Sequence, residues 1–114
     1  MSDDFYQLGV EQAQQQDYAE AIALFTQALN HRPDQAPVYY QRGLAYYDTG
    51  NLHAAVSDFT KALELDDQYG QAYYGRALTR VMLKNLPGAL TDLDQALLSR
   101  PDDAAAYQLR GCEA

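Results

Sequence analysis

Residues 36–69 read APVYYQRGLAYYDTGNLHAAVSDFTKALELDDQY, and two apolar stripes at helical spacing run through them. Tyr39, Gly43 and Tyr46 share one helical face, and Val56, Phe59 and Leu63 share another. Residues three or four apart lie over one another in an α-helix, so each stripe marks a separate helix. Between them stands Gly50-Asn51, a helix stop followed by an N-cap residue. The segment therefore reads as two helices joined by a tight turn. A single pair of this kind cannot bury both stripes, and stacking against similar neighbours would complete its core.

Those neighbours are present. A shift of 34 residues puts Gly9, Gly43, Ala77 and Gly111 in one column. Phe5, Tyr39, Tyr73 and Tyr107 form an aromatic column, and Ala21, Ala55 and Ala89 an alanine one. Ala28, Ala62 and Ala96 form a second alanine column, followed by large apolar Phe25, Phe59 and Leu93 and by closing residues Pro33, Asp67 and Pro101. Asp17 and Glu20 make a capping-box-like start for the second helix of the first unit. The small residues have a steric reason: Gly9, Gly43 and Ala77 facing Ala21, Ala55 and Ala89 would let paired helices approach closely, with Phe25 and Phe59 beside them.

The pattern resembles the tetratricopeptide repeat family, with its 34-residue unit of two helices and its aromatic–small–Ala–aromatic–Ala–Pro signature. The resemblance covers 2–35, 36–69 and 70–103, then the opening of a fourth unit at 104–114, within one domain spanning 1–114. Departures are Gln12 and Arg80 in the column of Tyr46, and Asp67 where proline is typical. The implied fold is an all-α, right-handed superhelical solenoid of antiparallel helix pairs. Its helices are predicted near 3–15, 18–30, 37–49, 52–65, 70–83, 86–98 and 104–112. The fourth unit stops inside its first helix, so that helix is either a native cap or the start of a longer array. Its match to an ordinary repeat rather than a polar cap favours the array, as in a regulatory module of a larger protein.

One covariation is visible between the units. Leu8 and Leu24 of the first become Arg42 and Asp58 in the second and Arg76 and Asp92 in the third. Both members change together from apolar to opposite charges, which predicts ion pairs across each helix pair. The rival pairing, Arg76 with Asp58 and Arg110 with Asp92, would leave Arg42 opposite Leu24. Their role would be structural, with little net stabilisation.

Composition narrows the function. Sixteen carboxylates against eight Lys and Arg leave a net charge of −8, the wrong sign for a phosphate-neutralising groove or an anionic membrane surface. Residues 2–35 hold six carboxylates and one arginine, whereas 70–103 hold four of each sign. Solvated outer faces explain this; steering of a basic partner to the N-terminal half is the sharper reading. The acidic start does not resemble a secretory signal, and one cysteine, Cys112, forms no internal disulfide, so a cytoplasmic home is expected. His31 and His53 are not spaced as a metal-ligand pair. With no phosphate-cradling loop and only scattered carboxylates, neither a cofactor nor catalysis is expected.

A second face of the first helices is also apolar: Tyr6, Val10 and Ala13; Tyr40, Leu44 and Tyr47; Tyr74, Leu78, Val81 and Met82. In the resembling family this face lines the concave groove that holds peptide ligands. The groove is therefore expected at Tyr6, Val10, Tyr40, Gln41, Leu44, Tyr47, Tyr74, Gly75, Leu78 and Met82, with Tyr6, Tyr40 and Tyr74 as a ladder of anchors. Packing between neighbouring first helices is the competing use of the same stripe. Gly75 reads either as a notch or close backbone approach by a ligand, or as tolerated drift at a surface position. Some family members grip a chaperone C-terminal carboxylate through basic and amide side chains. Here those positions hold Tyr6, Val10, Gln41, Gln71 and Gly75, none of them basic, so the clamp is not expected. Asp3 and Asp48 would leave the rim mildly acidic. The sequence thus predicts an adaptor or scaffold domain that binds a protein or peptide with basic and apolar residues. The alternative is self-association, through the ladder or through Tyr107, Leu109 and Cys112.

Overall fold

The computed structural model describes residues 4–99, the side chains of Asp4 and Ser99 excepted. Six helices follow in order: α1 (Asp4–Gln14), α2 (Tyr18–His31), α3 (Ala36–Asp48), α4 (Leu52–Leu65), α5 (Gly70–Met82) and α6 (Leu86–Ser99). Their ends agree with the predicted spans to within one residue, and the described residues contain no strand. No described helix is long and apolar enough to cross a membrane. The helix predicted at 104–112, with Tyr107, Leu109 and Cys112, lies outside the described residues, as does Asp3.

Local chemistry sets the helix ends. The turn within each pair passes through the left-handed region at one repeat position, occupied by Gln16 (φ 66°), Gly50 (φ 84°) and Lys84 (φ 65°). Only glycine adopts that conformation without steric cost. The next residue caps the second helix. Asp17 Oδ1 accepts from the Glu20 N–H at 3.3 Å, and Asn85 Oδ1 from the Gly88 N–H at 3.2 Å. Asn51 holds the same N-cap position without a side-chain cap bond. Pro37 falls in the first turn of α3, where its missing N–H has no intrahelical partner to lose.

Helices pack as α1 with α2, α3 with α4 and α5 with α6, and the pairs join through α2 on α3 and α4 on α5. First helices also touch, α1 with α3 and α3 with α5, whereas no comparable contact joins α2 to α4 or α4 to α6 among the described residues. That asymmetry bends the array with its first helices on the inside.

The core is built on ring-against-glycine contacts. A Cβ at Gly9 would stand 2.6 Å from Cε1 of Phe25, and one at Gly43 2.9 Å from Cε1 of Phe59. Both rings are fully buried. In the third pair Ala77 packs in one cluster with Ala89 and Leu93, so the small partner grows as the large one shrinks. Volume is thereby kept roughly constant, as close packing requires.

Both predicted ion pairs form. Arg42 and Asp58 approach to 2.8 Å, as do Arg76 and Asp92. Arg80, standing in the column of Tyr46, adds a second guanidinium at 2.8 Å from Asp92. Arg42 also lies over the rings of Tyr39 and Tyr46, 5.6 and 5.9 Å from their centroids. The hydrogen bond to Asp58 raises the Arg42 pKa despite the opposing effect of burial. The guanidinium stays charged.

The inner helical face as a candidate functional site

Tyr6 and Val10 on α1, Tyr40, Gln41, Leu44 and Tyr47 on α3, and Tyr74 and Leu78 on α5 are all half-buried, while Met82 is exposed. The tyrosines reach down into the core. The Tyr6 ring meets Phe25 at 6.1 Å between centroids, and Tyr40 meets Phe59 at 5.8 Å. Tyr74 packs on the Ala77–Ala89–Leu93 cluster. These rings therefore belong in part to the helix-pair packing. The sequence reading placed the competing packing use between neighbouring first helices, whereas these rings pack within their own helix pairs.

A fourth tyrosine joins them. Tyr69, immediately before α5, lies 5.2 Å from the Tyr40 ring. Its hydroxyl is pushed up to about 12, first by burial and then by Tyr40, Tyr6 and Asp66. Tyr6 and Tyr40 thus both act on Tyr69, near the N-terminal ends of α1 and α3.

Further along the same two helices is a hollow of about 240 Å³. Val10, Ala13 and Gln14 of α1 line it together with Gln41, Leu44, Ala45 and Asp48 of α3, and Tyr18 at the start of α2. The structure thus gathers Val10, Gln41 and Leu44 around one cavity. Tyr47, Tyr74, Leu78 and Met82 are not among its lining residues.

Gly75 needs a different reading. It is buried, and a Cβ there would stand 2.8 Å from Cζ of Phe59. The missing side chain makes room for the ring of the preceding repeat, with no ligand needed to explain it. Gly43 and Gly75 both border one phenylalanine.

Sequence reading missed Tyr18, Gln14 and Tyr69 as parts of this face. Tyr18 and Tyr69 sit at helix starts, and their repeat counterparts Leu52 and Gln35 carry no matching ring. Periodicity within the first helices therefore had no means of finding them. Among the described residues, no group of three or more His, Cys, Asp or Glu side chains is placed to hold a metal ion.

Comparison with known proteins agrees with this architecture. A family model described as tetratricopeptide repeat matches residues 12–74. The chain belongs to the tetratricopeptide repeat family. The first such domain of Spaghetti (RPAP3), solved bound to the HSP90 peptide SRMEEVD, is 26% identical with a TM-score of 0.91. That match covers 93% of this chain and 84% of that one. The Arabidopsis OM64 domain superposes with a TM-score of 0.94 at 24% identity, covering 96% of this chain and 91% of its own, and so shows the fold alone. YrrB, described as having an unusual peptide-binding site, is 25% identical with a TM-score of 0.89. This chain aligns over 96% of its length with 57% of YrrB. No curated protein matches significantly.

Proposed function

We propose that this tetratricopeptide repeat domain is a non-catalytic adaptor or scaffold module that takes a partner peptide, extended or helical, along the inner face of α1, α3 and α5. The observation that carries the reading is the continuity of one half-buried surface. The Tyr6–Tyr40–Tyr69 cluster and the hollow beside Leu44 lie along the same two helices. Tyrosine suits such a face, offering a rigid apolar body with a hydroxyl for orientation. Peptide complexes of structurally similar domains support this use of the fold. The net charge of −8 favours a protein partner over nucleic acid or an anionic membrane, and the single cysteine, Cys112, suits a reducing compartment such as the cytoplasm.

The partner is not a chaperone tail held through its terminal carboxylate. Tyr6, Val10, Gln41, Gln71 and Gly75 stand where such a clamp would need cations, none of them is basic, and Gly75 is buried under Phe59. The test is selection of peptides from a displayed random library, followed by affinity measurement against the Leu44→Arg variant. Enriched peptides should lose at least tenfold in affinity while the variant keeps its helical circular dichroism. No enrichment, or undiminished binding by the folded variant, overturns the reading.

A further inference from the structure

The hollow between α1 and α3 has one-sided chemistry. Its apolar lining comes from Val10, Ala13, Leu44 and Ala45, and its ionisable side chains are Asp48 and Tyr18. No lysine or arginine lines it. Nearby Arg42 is committed to Asp58, and farther along the array Arg76 and Arg80 are committed to Asp92 and Lys61 lies beside Glu64. The Tyr18 hydroxyl is pushed up first by burial and then by the charge of Asp48 and a hydrogen bond to it. Tyr18 therefore stays neutral beside a carboxylate at pH 7. A volume of about 240 Å³ is small beside the roughly 300–1,000 Å³ of pockets for drug-sized molecules. It suits one long side chain better than a separate small ligand.

We infer that this hollow is a subsite for a lysine or arginine side chain of the bound peptide, its stem along Val10 and Leu44 and its cationic head at Asp48. The inference rests on the groove reading above and adds what the groove selects. Long basic side chains lay their methylenes on apolar surface while the charged end stays wet. Asp48 meets that need because it is exposed, at the end of α3. The acidic first repeat, six carboxylates against one arginine, adds an attractive field. An exposed pair of this kind gives specificity and association rate more than raw affinity, and it weakens with salt.

The experiment uses the whole chain and the same displayed random library. Peptides enriched on the wild type should share a Lys or Arg at one position. The best of them is then synthesised with that residue or with Gln, and both are titrated into wild type and Asp48→Asn. Either single change should weaken binding about two- to fivefold, the range for an exposed pair. The double change should cost little more than one alone, and the effect should shrink at high salt. Selection repeated on Asp48→Lys should lose the basic position. Enriched peptides without a shared basic residue, or losses that add fully in the double change, overturn the subsite and leave the groove standing. Absence of any enrichment on the wild type overturns both.

Discussion

Arg42 clasps Asp58 through two parallel hydrogen bonds, Nε to Oδ2 at 2.8 Å and Nη2 to Oδ1 at 2.9 Å. Its remaining nitrogen donates back to Thr26 Oγ1 at 3.1 Å, so one guanidinium ties α2, α3 and α4 together. Arg76 repeats the arrangement with Asp92 and Thr60. A buried pair adds little net stability, yet breaking it strands a charge at a cost of about 3–5 kcal/mol. The first repeat carries Leu8 and Leu24 in the same columns. Asp58→Leu alone should therefore destabilise the fold by about 3 kcal/mol, because Arg42 keeps partial access to water. Adding Arg42→Leu should restore most of that loss in denaturant unfolding. A double variant no better than the single one would show that the pair has a structural role leucine cannot fill.

Gly75 is a test of packing across the repeat boundary. An added methyl would stand 2.8 Å from Cζ of Phe59, a ring with no exposed surface. Overpacking costs about 1–3 kcal/mol, against a helix-propensity gain of about 1 kcal/mol for Gly→Ala. Gly75→Ala should therefore lower the melting temperature despite making a better helix. Phe59→Leu should remove most of that penalty, because it deletes the ring carbons that crowd the added methyl. Unfolding of the two single variants and the double variant measures the coupling.

These two cases mark what the chain made legible. Helix order, pairing and the Arg–Asp contacts were readable because a period of 34 residues repeats each of them in register. Thr26 and Thr60 were equally periodic, but a hydroxyl among polar neighbours carries no hydrophobic or charge signal. The inner face was legible only in outline. Val10 and Leu44 do line one hollow, whereas Gly75 lies under Phe59, since a stripe on one helix does not reveal a ring arriving from another pair. Tyr18 and Tyr69 depend on chain direction at helix starts, which periodicity does not encode.

The left-handed turn position offers a stabilising change. Gln16 and Lys84 hold φ values of 66° and 65°, where Gly50 holds 84° in the middle repeat. A side chain in this region costs about 1–2 kcal/mol, partly offset by the greater freedom glycine has in the unfolded chain. Gln16→Gly and Lys84→Gly should each add about 0.5–1 kcal/mol. For a domain of this size that raises the melting temperature by a few degrees. Scanning calorimetry of the two variants checks it, and Gly50→Ala should move the opposite way.

Tyr69 gives the inner face a measurable titration. Burial, and then Tyr40, Tyr6 and Asp66, push its hydroxyl from 10.0 up to about 12. A raised pKa means that the folded state holds this proton more tightly than the unfolded state does. The associated stability is intact below pH 10 and is lost as pH rises through the folded value near 12. Tyr69→Phe keeps the ring against Tyr40 and removes the titration. Its unfolding free energy should therefore fall less steeply than that of the wild type above about pH 10. With ten tyrosines in the chain, only the difference between wild-type and variant tyrosinate absorbance isolates this one. That difference should be centred near 12 while circular dichroism still reports a folded chain. A centre near 10 in the folded protein would mean that Tyr69 is open to water and that the Tyr6–Tyr40–Tyr69 cluster does not close as described.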